Sequence, residues 1–196
     1  METYAGSILG FRCWSVDSET NSLGPAAIKV DAEGHKIFWD RGSNTAKCVH
    51  HPVENIEPAV GDAPHSEDDH HCGFNAWFDP HDARRYSLLY SDSVYGAIAG
   101  SGKMCFHTKG FRSEQAQIIA LYIPLSSASE EATILAADAY GVPFFYSEKE
   151  FLCFAKQQAS YMPSLKGKLE VSEDYNRSWM SLVWPEAGSR SSTRIT

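Results

Sequence analysis

The sequence predicts an α+β domain with a mainly antiparallel sheet and two or three helices, on three observations. Short runs of β-branched and aromatic residues, broken by turn residues, recur between residues 11 and 123. Helix start and stop signals punctuate the second half of the chain. A 43% apolar content, with 12% aromatic residues, supports one core in a chain of 196 residues. A single domain over residues 1–185 is expected, carrying a metal-binding loop at 48–73, with a disordered polar tail at 186–196.

The elements follow in chain order. Phe11 to Val16 mixes aromatic and β-branched residues with polar ones and reads as a strand. Ile28 to Val30 and Lys36 to Trp39 flank Asp31-Ala32-Glu33-Gly34 as a hairpin. Asp40 to Asn44 reads as a loop leading to Ala46-Lys47-Cys48. Residues 49–69 are polar, rich in Pro, His and acids, and show no period. A loop of about twenty residues in a compact domain normally has a function or a clamp. A helix then starts with Asp79 as cap, Pro80 in the first turn and Asp82 near the positive end of the dipole, and runs to about Leu89. Val94 to Ala99 and Lys103 to His107 read as two strands of a hairpin around Gly100-Ser101-Gly102, and Ala116 to Ile123 as a strand stopped by Pro124. Ser127 and Glu130 form a capping box for a helix over Ala132 to Tyr140, closed by Gly141 and Pro143. Phe144 to Tyr146 is a short strand. Ser147 and Glu150 form a second box before a helix over Phe151 to Ala159. Residues 160–185 are irregular, with Tyr175, Trp179 and Trp184 expected to pack on the body.

The net charge of −8 and pI near 5.4 disfavour binding driven by phosphate neutralisation. Lys103, Lys109 and Arg112, and the pair Arg84 and Arg85, are expected to be solvated surface. Met1-Glu2-Thr3 lacks the basic start of an export leader, and no apolar run approaches the ~18 residues needed to span a bilayer. The five cysteines are therefore expected to be reduced, in a cytoplasmic protein. Cys13, Cys105 and Cys153 sit within apolar runs and read as buried small hydrophobes.

The chemistry concentrates between Cys48 and Cys72. That interval of 25 residues holds Cys48, His50, His51, His65, His70, His71 and Cys72, including five of the eight histidines. Thiolate and imidazole make up the ligand set of tetrahedral zinc. The expected ligands are Cys48, His65, His70 and Cys72, spaced Cys-x16-His-x4-His-x-Cys, with His51 or His50 as substitutes for His65. In an extended segment His70 and Cys72 point the same way, and Gly73 permits a tight turn beside the ion. Four ligands make a structural zinc, one per chain. A catalytic site usually keeps an open position, and no His-Glu-x-x-His motif is present. The plain alternative is a solvated histidine-rich loop beside Glu67, Asp68 and Asp69.

A series of short motifs resembles a family of uncharacterised proteins of actinobacteria and their phages. They are Gly10-Phe11-Arg12-Cys13-Trp14-Ser15-Val16, Trp39-Asp40-Arg41-Gly42, Ala46-Lys47-Cys48, and His70-His71-Cys72-Gly73-Phe74-Asn75-Ala76. Val94-Tyr95-Gly96-Ala97-Ile98, His107-Thr108-Lys109-Gly110-Phe111-Arg112-Ser113 and Tyr140 to Pro143 follow, so the resemblance covers about residues 10–143. It implies that His70 stands where the family has a metal-type Cys, one ligand exchanged for another. The family's His precedes its Ala-Pro, whereas His65 follows Ala63-Pro64, so the fourth ligand stays open among His65, His51 and His50. The resemblance implies no activity.

No Gly-x-Ser-x-Gly elbow, Walker loop or dinucleotide fingerprint occurs. His107 with Arg112 could bind an anion, but a turn-region Arg bonded to backbone carbonyls is the simpler reading. The function expected is binding rather than catalysis, by an accessory or adaptor protein inside the cell, phage-encoded on the resemblance, acting through a protein partner. The alternatives are a nucleic-acid-associated regulator using a basic patch around Lys103 to Arg112, and a metal-dependent hydrolase with Glu67 or Asp69 as base.

Overall fold

A computed structural model describes residues 2–26, 38–46, 73–89, 93–124 and 129–162. Its elements are β1 (Glu2–Val16), β2 (Leu23–Pro25), β3 (Ser43–Thr45), β4 (Phe74–Trp77), α1 (Pro80–Ser87), β5 (Ser93–His107), β6 (Gly110–Tyr122), α2 (Glu130–Tyr140), β7 (Phe144–Phe145) and α3 (Glu148–Gln158). Among the described residues these make a seven-stranded, mostly antiparallel sheet with three helices, the α+β class expected. No helix among them is long and apolar enough to cross a membrane.

The strands form a closed circuit. β1 pairs with β5 and β5 with β6; β4 pairs with β6 along Phe74–Trp77 and returns to β1 at Phe11↔Trp77. Extra residues in the ladders at Tyr4/Ile8, Ala97/Ile98 and Ser101/Met104 supply the bends that such curling needs. The inside of the circuit is narrow, and Phe111 fills it. A Cβ at Gly10 would lie 2.5 Å from Ala76 Cβ and 2.7 Å from the Phe111 ring. One at Gly100 would run into the same ring and lie 2.9 Å from Ser113 Oγ. These contacts correct the reading of Gly100-Ser101-Gly102 as a hairpin turn. The segment lies within one long strand, its glycines opposite bulky neighbours, and the hairpin turn falls at Thr108–Lys109.

Alternation along β1 divides the core. Ile8 and Trp14 belong to the cluster that includes Phe111 and continues under α2, whereas Leu9, Phe11 and Cys13 face α1 and α3. On the latter side Phe151 of α3 is the hub, with ring contacts to Phe11, Tyr95, Tyr122 and Phe145 at 5.5–6.3 Å. α1 starts as expected: Asp79 accepts the His81 N–H at 2.8 Å and Pro80 opens the first turn. α3 starts at Ser147, whose hydroxyl accepts the Glu150 N–H. α2 ends on Gly141 in the left-handed conformation, with φ 66°. Its N-cap, however, is Ser129, whose hydroxyl donates to the Ser93 carbonyl instead of capping.

Three short strands escape the sequence reading. β2 and β3 are three residues each, and β4 is four, too short for a period to show. The expected hairpin at 28–39, the aromatic residues Tyr175, Trp179 and Trp184, and the tail lie outside the described residues, except for Phe38 and Trp39. Cys153 is exposed and Cys105 half-buried, against the expectation of burial; only Cys13 lies in the core. α3 buries Phe151 and Ala155, and a residue two positions after Phe151 is turned to the opposite side of the helix.

Candidate functional site

Cys48, His65, His70 and Cys72 lie outside the described residues, as do His50, His51 and His71. The two stretches of chain that flank them are described, and they meet. β3 and β4 lie end to end on the same edge of β6, both antiparallel to it. β3 pairs Thr45↔Gln115, and the Ala46 N–H donates to the Glu114 carbonyl at 2.7 Å. β4 begins at the next position, Phe74↔Ser113. The chain thus leaves the edge opposite Glu114 and rejoins it opposite Ser113. Gly73, with φ 105°, takes a backbone conformation open to glycine at the point of return.

The departing end is fixed by Asn44, which is buried. Its Oδ1 accepts the Asp40 N–H at 2.6 Å, and its Nδ2 donates to the carbonyls of Asp40 at 3.0 Å and Gly42 at 3.2 Å. From its place in β3, Asn44 bonds back to residues 40 and 42 and so satisfies the backbone of the loop just before the strand.

Beside the returning end lies a row of polar side chains at matching strand positions. Arg112 of β6 is paired with Asn75 of β4 on one side and Cys105 of β5 on the other. His107 stands two residues along β5 from Cys105, on the same face. His107 and Arg112 are completely buried. Burial pushes the His107 pKa down to about 3, with the Arg112 guanidinium adding to the effect and the Phe111 backbone opposing it. The imidazole is therefore neutral across the physiological range. Burial also raises the Cys105 pKa, with Arg112 opposing, so this sulfur is held as the thiol. The burial of Arg112 corrects two expectations. It is not a turn residue but sits inside β6, and it cannot add to a solvated basic patch with Lys103 and Lys109.

Sequence reasoning missed Arg12. β1 and β4 pair only at Phe11↔Trp77 and then diverge, and Arg12 fills the opening: its Nη1 donates to the Asn75 carbonyl at 2.6 Å. The guanidinium lies 5.3 Å from the Trp39 ring centre, and Trp39 packs on Trp14 at 5.5 Å and Phe74 at 4.7 Å. Burial lowers the Arg12 pKa. Tyr140 of α2 holds Trp39 from the other side, its hydroxyl accepting the Leu23 N–H at 2.9 Å and donating to the Trp39 carbonyl at 2.7 Å. The signal was the alternation in Gly10 to Trp14, which puts Arg12 on the same side of the strand as Trp14.

Chemically this corner offers anchoring. The Cys13 thiol is pushed up to about 12 by burial, and among the described residues no three His, Cys, Asp or Glu side chains gather as metal ligands. No protein-family model, curated protein or solved structure matches the chain.

Proposed function

We propose that this is a zinc-binding accessory protein of the cytoplasm that acts by holding a protein partner, with one structural zinc ligated by Cys48, His65, His70 and Cys72. The observation that carries this reading is the meeting of the two flanking strands on β6. The segment starts after Ala46, opposite Glu114, and ends before Phe74, opposite Ser113. Cys48 and Cys72 are each two residues from those anchors. Two residues of chain reach about 7 Å, enough for both sulfurs to approach one ion at Zn–S distances of about 2.3 Å. A metal there would tie a long polar segment that has little apolar surface of its own to bury.

A structural role fits the surroundings. Asn44 fixes the backbone where the chain departs, Gly73 permits the turn where it returns, and His107 and Arg112 beside the returning strand are fully buried, away from any solvent-borne substrate. The free thiols of Cys13, Cys105 and Cys153 suit a reducing compartment. The resemblance to proteins of actinobacteria and their phages belongs to the same reading.

Two serine variants test it. Cys72→Ser should lose the metal and lower the melting temperature, while Cys153→Ser should do neither. A Cys72→Ser protein with unchanged metal content and unchanged melting would refute the site.

A further inference from the structure

We propose that the outward side of α2, with the β7 segment that follows it, docks a protein partner presenting apolar side chains flanked by Lys or Arg. This rests on the reading of the protein as one that acts through a protein partner, and it names the surface.

The first observation is how α2 is turned. The residues it buries are Thr133, Ala136 and Ala137, all small, whereas Leu135 remains 45% exposed and Ile134 is half-buried. A helix that served only to cover the sheet would turn its larger apolar residues inward. One that is apolar on both sides is built to be covered on both.

The surface continues past the helix. Gly141 reverses the chain, and Phe144 and Tyr146 stand 38% and 48% exposed, in edge-on contact with ring centres 5.8 Å apart. Leu135, Asp138, Val142, Pro143 and Phe144 line a shallow depression of ≈ 650 Å³ between helix and strand. Exposed aromatic and aliphatic side chains around a depression are the composition of a protein interface.

Charge selects the partner. Residues 129–147 contain Glu130, Glu131 and Asp138 and no Lys, Arg or His. The Tyr146 hydroxyl donates to Glu130 Oε1 at 2.8 Å, tying the acidic rim to the exposed ring. Beyond the end of the helix, Asp40 and Arg41 act on Tyr140 with opposite sign. An apolar floor with an acidic rim favours cationic flanks. The same rim repels a second copy of this chain, which brings the same acids and a net charge of −8, and it repels nucleic acid and anionic bilayers.

The test uses the full chain and two fluorescent probe peptides of about 14 residues, long enough for three to four helical turns. Both carry Leu and Phe along one side. One has Lys at the remaining positions and the other Glu. The Lys peptide should bind saturably and at least about tenfold more tightly than the Glu peptide, and Leu135→Asp or Phe144→Ser should each weaken it about tenfold with unchanged melting. Asp138→Lys should narrow the preference. Equal binding of the two peptides, or binding indifferent to both surface variants, overturns the proposal. So does an intrachain carbodiimide cross-link from Asp138 to Lys166 or Lys168, which gives the surface to the chain's own C-terminal segment. A dimer abolished by Leu135→Asp gives it to a second copy, with the same consequence. Metal content and the Cys72→Ser result are read separately, so this surface and the zinc reading fail independently.

Discussion

Protonation of His107 should destabilise the protein over a defined pH range. The imidazole is completely buried, and its pKa falls from 6.5 to about 3, first through loss of solvent and then through Arg112. In the unfolded chain it titrates near 6.5, so on acidification the unfolded state takes up a proton that the folded state refuses. The contribution is fully present above pH 6.5 and is lost as pH falls from there toward 3. At about pH 5 the loss is about 2 kcal/mol, and with a urea dependence of about 2 kcal/mol per molar the unfolding midpoint falls by about 1 M. Other groups titrate over the same range, so the assay is a comparison: urea unfolding at pH 7 and pH 5 for the natural protein and for His107→Gln. Contributions shared by both proteins cancel. The variant should lose about 2 kcal/mol less than the natural protein on acidification. Equal losses would show that His107 is not held neutral, and the account of the Asn75, Arg112, Cys105 and His107 row would fall with it.

Three further substitutions, with Cys153→Ser as a control, probe the framework, each by equilibrium unfolding. Gly100→Ala drives a methyl group into the Phe111 ring inside the strand circuit and should cost about 1–3 kcal/mol; an unchanged midpoint would mean the interior is looser than described. Phe151→Ala removes the hub of the aromatic cluster and should cost about 3–5 kcal/mol, against less than about 0.5 kcal/mol for Cys153→Ser on the exposed side of the same helix. Asn44→Ala leaves the Asp40 N–H and two carbonyls without their partner and should cost about 1–3 kcal/mol. If it costs nothing, the loop before Ala46 is not fixed as the zinc reading supposes.

The parts of this fold legible in the sequence are those determined locally. Asp79-Pro80, Ser147 with Glu150, and Gly141 ahead of Pro143 act within one helical turn, and each marks a helix end in the structure. What was hidden depends on partners far along the chain. The circuit closes through the single pair Phe11↔Trp77, and nothing near either residue announces it. Gly100 reads as a turn residue until Phe111 is known to occupy the space where its side chain would be. Locally, Arg112 reads as a turn residue bonded to backbone carbonyls, with anion binding alongside His107 as the lesser reading; the burial of both comes from the pairing of β4, β5 and β6, which no local pattern encodes. For the proposed metal site, the residue types Cys48, His65, His70 and Cys72 are what suggest zinc. The meeting of the loop ends needed β3 and β4, two strands too short to read.

The most direct measurement is the metal content of the purified, untagged protein by mass spectrometry, with a melting curve before and after chelation. One zinc per chain is expected, with a large drop in melting temperature when it is removed. A metal-free protein, or one that melts at the same temperature with and without its zinc, would contradict the zinc reading.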